Sequence, residues 1–197
     1  MKITVNHTER RNIILEQAFV LFSEEGYCGV TYQKIADRCG ISRTAIYKYF
    51  QNKEDIFTYS ISLAAGNLNS MVEKVLEREE WTALEKIRRI LHIMIRMLDG
   101  NRIFLTVILD YTLSQKHLGK DVRRKVRKHT FGVKYVLAKL LREAAQSGEL
   151  NVKKPELSAS HLYGILESFV LNLTVTEILD TRDCIELVDS YLDRLKQ

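Results

Sequence analysis

The chain has 197 residues, of which 46% are hydrophobic, so it can bury the core of one or two domains of ordinary size. Its net charge of +5 permits a nucleic-acid partner without requiring one. Three cysteines without metal-ligand spacing argue against a disulfide-stapled secreted domain, and no apolar run has membrane-spanning length, so we expect a cytoplasmic protein with no membrane partner.

The first predicted element is a helix over residues 8–25. Ile14, Ala18, Leu21 and Phe22 recur at the spacing of one helical face, and Gly26 is placed to end the helix. Only one proline occurs in the whole chain, and no stretch alternates like a strand. The sequence therefore predicts an all-α fold of about nine helices.

Residues 31–53, TYQKIADRCGISRTAIYKYFQNK, predict two short helices joined by a tight turn. Thr31 and Ser42 are candidate N-caps, and Gly40 can take the left-handed conformation that ends a helix. Ile46 and Phe50 lie four residues apart and should point inward. This is the pattern of a helix-turn-helix, whose second helix enters the major groove of DNA.

The order of residues around this motif resembles the tetracycline-repressor (TetR) family of bacterial transcription regulators. The resemblance covers roughly residues 8–58. The matching positions are Phe22, Gly26, Thr31, Ile35, Ala36, Gly40, Ser42, Tyr47, Phe50, Lys53, Glu54 and Asp55. It implies a three-helix DNA-binding domain, which we bound at residues 1–57, and a helical ligand-binding and dimerisation domain at 58–197. It also implies a homodimeric repressor that a small molecule releases from a palindromic operator.

We expect Arg43 to read a base, since its fork can donate to guanine O6 and N7, or else to contact a phosphate. Thr44 and Ala45 are small enough to touch a thymine methyl group. Backbone contacts are expected from Tyr47, Lys48, Tyr49 and Lys53, with Tyr49 alternatively packing on the first helix. The remaining DNA-binding candidates, which open the two helices of the motif, are Thr31, Tyr32, Gln33 and Ser42.

Later helices follow almost without interruption. Asn52 should cap a helix over residues 53–77, Thr82-Ala-Leu-Glu85 is a capping box, and a short apolar segment follows at 103–113. A basic helix is predicted over 120–147. Pro155 should open a helix that runs to about 179, and Thr181 or Asp183 should cap the last one.

The last two helices have wide apolar faces for elements near a chain end. They either pack into their own core or form a four-helix interface between two copies, as the resemblance implies. The interface candidates are Leu162, Leu166, Phe169, Val170, Val188 and Leu192. A two-fold axis would place two recognition helices on a palindrome.

For the second domain we expect a largely apolar effector. The candidate lining residues are aromatic, Met or isolated polar residues on apolar helices: Met71, His92, Met94, Phe104, Tyr111, Tyr135, Tyr163 and Glu167. Most residues of these types simply fill a core at such spacing. Glu167 interrupts an apolar stretch, and a buried carboxylate would need a partner or a cationic ligand.

Charge is unevenly distributed. Residues 31–53 carry five Lys/Arg against one Asp, and residues 116–142 carry ten against one, so the rest of the chain has a balance of −8. The run Lys116–Lys128 is either a solvated surface or an anion-binding rim for a phosphorylated or coenzyme-A-linked ligand.

An enzyme would need a catalytic constellation, and the sequence holds no phosphate-binding glycine loop, zinc-protease motif or nucleophile elbow. We therefore predict a regulator without catalytic residues, cofactor or metal. Two alternatives remain, a redox sensor that uses Cys28 or Cys39 and a protein–protein adaptor that has lost DNA binding. The outward cations Arg43, Lys48 and Lys53 favour DNA binding over an adaptor.

Overall fold

A computed structural model describes the backbone of residues 7–120 and 123–196, with side chains except at 123–131. These residues form nine α-helices and a π-helical turn, with no strand, which confirms the predicted all-α fold. None of the helices is long and apolar enough to span a membrane. The helices are α1 (His7–Gly29), α2 (Tyr32–Cys39), α3 (Arg43–Ile46), α4 (Lys53–Leu76), α5 (Ala83–Gly100), α6 (Arg102–His117), α7 (Arg123–Gln146), α8 (Pro155–Leu171) and α9 (Thr181–Arg194).

The helix boundaries near the N-terminus follow local sequence signals. Gly26 has a φ of 70° and a ψ of 170°, so the axis of α1 breaks where the sequence predicted its end, and one further turn leads to Gly29. Asn52 caps α4 by accepting from the N–H of Asp55, and Thr82 and Glu85 form the predicted capping box of α5. These caps form because each satisfies backbone donors that the first helical turn leaves without partners.

Two boundaries near the C-terminus differ from the prediction. The helix that begins at Pro155 ends at Leu171, and a π-helical turn over Asn172–Thr176 follows. In this turn Thr174 donates to the carbonyl of Val170, and such local hydrogen bonds compete with a regular helix. The cap of α9 is neither Thr181 nor Asp183. It is Asp180, which accepts from the N–H of Asp183, while the Asp183 carboxylate accepts from the N–H of Asp180.

Two clusters of buried side chains hold the fold together, and α4 contributes to both. Ile56 and Phe57, near its start, pack with α1, α2 and α3, whereas Val75, near its end, packs with α5, α7, α8 and α9. Helix α6 supplies Phe104 and Tyr111 to the N-terminal cluster. A displacement of α6 would therefore change the packing of the N-terminal cluster, which also contains Ile46 of α3. The division at residue 57 stays a prediction.

Candidate DNA interface and effector cavity

Helices α2 and α3 are fixed to each other by caps and by one left-handed glycine. The Thr31 hydroxyl accepts from the N–H of Lys34 at 3.3 Å, and the Ser42 hydroxyl accepts from the N–H of Ala45 at 3.2 Å. Gly40 has a φ of 62°, and its N–H donates to carbonyls in the last turn of α2. A residue with a Cβ would be strained there, so glycine sets the angle between the two helices.

The exposed face of α3 and the turn after it carries Arg43, Thr44, Tyr47 and Lys48, whereas Ile46 is fully buried beneath them. The sequence predicted this division. The Arg43 guanidinium lies 3.5 Å from the Tyr47 hydroxyl, which is a weak hydrogen bond that DNA can replace. The face therefore presents a fork donor, a small hydroxyl and an ammonium group to solvent, as a major-groove reader requires.

Tyr32 supports this face from α2. Its ring stacks on Tyr47 with centroids 4.7 Å apart and planes within 8° of parallel. Burial of the Tyr32 hydroxyl, more than its proximity to Tyr47 and Asp55, raises its pKa to about 12. The hydroxyl is therefore neutral near pH 7 and can donate to a phosphate or to the carbonyl of Phe50, 3.5 Å away.

The other predicted contacts have mixed environments. Gln33 is exposed but donates to Asp37 at 2.7 Å, and the Ser42 and Thr44 hydroxyls are hydrogen-bonded at 2.9 Å. Ala45 is half-buried. Tyr49 is also half-buried, with its ring 4.6 Å from that of His7 on α1, as the packing alternative for Tyr49 predicted.

Lys53 is held by the protein itself. Its ammonium donates to the carbonyls of Tyr27 and Val30 at 2.9 and 3.1 Å and lies 4.5 Å from the centre of the Tyr27 ring. A lysine ammonium has three donors, so one remains for a phosphate. Lys53 thus fixes the start of α4 against the end of α1, a role that the sequence pattern did not reveal.

The basic zone of residues 31–53 is less positive than its residue count suggests. Lys34 is paired with Glu25, and Arg38 with Glu24, both at the end of α1. No carboxylate of the described residues pairs with Arg43 or Lys48. The positive potential available to DNA is therefore concentrated on the exposed face of α3 and the turn after it.

Between α1 and helices α4 to α8 lies an apolar cavity of about 290 Å³. Met94, Phe104 and Tyr163, three of the predicted ligand-binding residues, line it. A groove of about 650 Å³ adjoins it between α1, α4 and α5, and Met71 lines that groove. The sequence did not predict most of the cavity wall, because apolar residues of amphipathic helices carry no signal that distinguishes a cavity from a packed core. The wall residues that were not predicted are Phe19, Ile61, Ala64, Ala65, Leu68, Asn69, Met97, Leu98, Asn101, Leu105, Ile108 and Val133.

The other four predicted ligand residues lie elsewhere. His92 is hydrogen-bonded to Asp189 of α9 at 3.0 Å, Tyr135 is 64% exposed, and Glu167 reaches solvent. Tyr111 packs in the N-terminal cluster of buried side chains, with its ring centroid 4.6 Å from that of Tyr27. Burial, followed by the proximity of Glu54, raises the pKa of the Tyr111 hydroxyl.

The residues predicted to form a dimer interface are core residues of a single chain. Leu162, Val188 and Leu192 are fully buried, Leu166 and Phe169 nearly so, and Val170 is half-buried. The wide apolar faces of α8 and α9 are thus largely used within the chain. A different set of apolar side chains on and between these helices is exposed: Leu157, Leu171, Val175, Ile178 and Leu187.

Most of the run Lys116–Lys128 lies outside the described side chains. Of its described cations, Lys116 and Lys120 are exposed, and Lys120 lies 3.6 Å from Glu54. Burial raises the pKa of the Cys39 thiol, which reduces its thiolate fraction and hence its reactivity as a redox sensor. Among the described residues, no group of three His, Cys, Asp or Glu side chains could hold a metal ion.

The comparisons with known proteins agree with this geometry. Residues 14–59 match the family model described as bacterial regulatory proteins, tetR family. The fatty acid metabolism regulator protein of Bacillus subtilis is 28% identical over 185 residues, which cover 92% of this chain and 91% of that protein. The nucleoid occlusion factor SlmA of Vibrio vulnificus is 25% identical over 159 residues, or 80% of each chain.

Among solved structures, the transcriptional regulator FadR from Bacillus subtilis in complex with stearoyl-CoA superposes with a TM-score of 0.68 at 26% identity, over 94% of this chain and 97% of that one. The likeness thus extends from the helix-turn-helix through the C-terminal helices. Proteins of this family are DNA-binding transcription factors without enzymatic activity. The chain thus resembles TetR-family regulators by sequence in residues 14–59 and by fold over nearly its whole length.

Proposed function

We propose that this regulator is a homodimeric repressor that binds a palindromic operator and is released by an effector with a long acyl chain. The observation that carries the proposal is the apolar cavity of about 290 Å³, which α1 and α4 share with the C-terminal helices. Ligand sites typically enclose about 300–1,000 Å³, a range that this cavity reaches together with its adjoining groove. The described lining residues carry no charged side chain.

The chemical class of the effector is suggested by two facts. A cavity bounded largely by aliphatic, Met and aromatic side chains favours a flexible hydrocarbon chain over a polar metabolite. The relative from Bacillus subtilis is named a fatty acid metabolism regulator, and its structure contains stearoyl-CoA. An acyl chain that fills the cavity would stabilise the complex by burying apolar surface, which contributes about 25 cal/mol of binding free energy per Å² buried.

Phe19 can transmit effector binding to the DNA-binding helices. This residue belongs to α1 and its ring packs at a tilt against that of Phe104 of α6, with centroids 3.9 Å apart, and both residues line the cavity. A ligand that separates these rings would move α1 relative to α6. Because α1 packs against α2 and α4, the spacing of two recognition helices in a dimer would change.

The dimer in this proposal uses the exposed apolar residues of α8 and α9 rather than the buried ones. Leu171 is 53% exposed, Val175 61% and Ile178 77%, so an apolar patch continues from the end of α8 through the π-helical turn. Such a patch on a lone chain indicates a surface that a partner covers. A two-fold arrangement there would leave both copies of α3 available for DNA.

The test begins with selection of operator sequences from random double-stranded DNA by the full chain. Fluorescence anisotropy then measures release of the selected operator by a series of acyl-CoA compounds from decanoyl to octadecanoyl. We expect two protein chains per palindromic site and release by at least one member of the series, with coenzyme A alone inactive. Selection of no DNA sequence, or an affinity that no acyl compound changes, would contradict the proposal.

A further inference from the structure

The apolar cavity offers no partner for the polar end of an acyl effector. Its described wall contains only the amides of Asn69 and Asn101 and the hydroxyl of Tyr163 as polar side-chain groups. A carboxylate or phosphate buried there would lose its hydration without gaining a counter-charge, which is strongly unfavourable. The charged end of such a ligand must therefore leave the cavity.

The groove between α1, α4 and α5 is a described route out. It shares four lining residues with the cavity, namely Phe19, Ala64, Met97 and Asn101, so a single layer of side chains separates the two spaces. Alanine leaves room in this layer, and a methionine side chain readily changes rotamer. A hydrocarbon chain can cross the layer by displacing Met97.

At the rim of the groove stands an exposed arginine, Arg96 of α5. No carboxylate of the described residues pairs with it, although Glu16 of α1 lines the same groove. The planar guanidinium donates two parallel hydrogen bonds to a carboxylate or phosphate, and it loses little hydration at an exposed rim. The groove thus joins an apolar floor to a cation that forms no ion pair with the described residues.

We propose that this groove is the headgroup site of the effector: the acyl chain occupies the inner cavity, and its negatively charged end binds Arg96 between α1 and α5. The inference deepens the proposed function and rests on it. A free fatty acid and an acyl-CoA share the required chemistry, an acyl chain that ends in an anionic group. The ligand would bridge α1, which packs against the helix-turn-helix, and α5 of the C-terminal domain directly.

The experiment is isothermal titration of the full chain with hexadecanoate, hexadecanoyl-CoA and hexadecan-1-ol, which has the same chain without a charge. Arg96→Ala should weaken the anionic ligand about tenfold or more, because a charge-assisted bidentate contact is lost, and leave the alcohol unchanged. Glu16→Gln should tighten the anionic ligand slightly. Arg102→Ala, another exposed arginine that does not line the groove, is the matched control and should have no effect.

The outcomes separate the two proposals. If neither the acids nor the alcohol binds the wild-type chain, the proposed acyl effector itself is wrong. If they bind and Arg96→Ala changes nothing, the headgroup site is wrong while the effector class stands. The Lys134 ammonium of α7 lies 4.9 Å from the centre of the Tyr163 ring. If Lys134→Ala or Arg123→Glu weakens binding of the anionic ligand, the charged end lies at α7 and the inference is overturned. Which of hexadecanoate and hexadecanoyl-CoA loses affinity in Arg96→Ala identifies the anionic group that is bound.

Discussion

At the scale of single residues, the proposed DNA interface depends on side chains that the neighbouring groups leave exposed. Arg43 is exposed, with only the weak contact to Tyr47, whereas Lys34 and Arg38 are paired with carboxylates of α1. Position in the motif alone does not reveal this difference, since all three are cations of the same basic zone. The pairing partners Glu24 and Glu25 belong to another helix.

For Arg43→Ala we expect weaker operator binding by about 1–3 kcal/mol per half-site and relaxed preference at one base position. The physical reason is the loss of two hydrogen bonds to a guanine edge. Binding titrations against operator variants measure this directly. An equal loss on every DNA sequence would instead assign Arg43 to a phosphate.

Lys53 is expected to affect stability as well as DNA binding. Lys53→Met removes the donor for two carbonyl groups and should lower the free energy of unfolding by about 1–3 kcal/mol. Thermal unfolding measures the loss. Lys48→Met is the matched control, because Lys48 is exposed and should weaken DNA binding without lowering stability. An unchanged unfolding temperature in Lys53→Met would show that the two carbonyl contacts contribute nothing.

At the scale of helices, the junction between α5 and α7 is fixed by one carboxylate. Glu149 accepts from the N–H of Leu84 at 3.2 Å and from the Ser147 hydroxyl at 2.8 Å. Partial burial by itself raises the pKa of Glu149, but hydrogen bonds from Thr82, Ser147 and the backbone outweigh burial and lower it. The ionised form is therefore preferred in the folded state.

This lowered pKa gives stability a defined pH dependence. The contribution of ionised Glu149 to the free energy of unfolding is complete above the pKa of about 4.3 that a glutamate has in the unfolded chain. It disappears as the pH falls through the lower pKa of Glu149 in the folded state. Glu149→Gln should therefore be less stable than the wild type at pH 7, and the difference should shrink as the pH falls below that range. Unfolding temperatures across pH test it, and a difference that is constant down to the lowest pH would contradict this account.

The exposed and buried faces of α8 predict opposite results for two similar substitutions. Leu171→Arg places a charge on the exposed patch and should dissociate a homodimer while each chain stays folded. Leu166→Arg buries the same charge without a partner and should unfold the chain. Sedimentation equilibrium with circular dichroism distinguishes them. A folded Leu171→Arg dimer, or a monomeric wild type, would refute the proposed interface.

The sequence predicts best the features that depend on neighbouring residues. Thr31, Ser42, Asn52 and Thr82 all cap as expected, because each hydrogen bond spans only three residues. The split into buried and exposed faces of α8 was not predicted, since its apolar residues cover most of the surface and only packing against α7 and α9 decides which remain outside. The cavity wall was largely missed for the same reason.

At the scale of the whole molecule, helices α4 and α6 connect the two cores, because each contributes side chains to both. Phe104 and Tyr111 of α6 pack in the N-terminal core, while Leu105 packs against the C-terminal one. A ligand moves such a pair of cores only if it binds one arrangement better than the other. To shift the population from about 1:99 to 99:1 it must prefer the released form by about 5.5 kcal/mol.

The most direct measurement is operator release by an acyl-CoA for the wild type and for Ala65→Trp. Ala65 lines the inner cavity and not the adjoining groove, so an indole there should fill the cavity and leave the DNA face intact. We predict equal operator affinity for both proteins without ligand, and release of the wild type alone when ligand is added. Equal release of both proteins, or of neither by any member of the acyl series, would contradict the claim that a ligand in this cavity controls DNA binding.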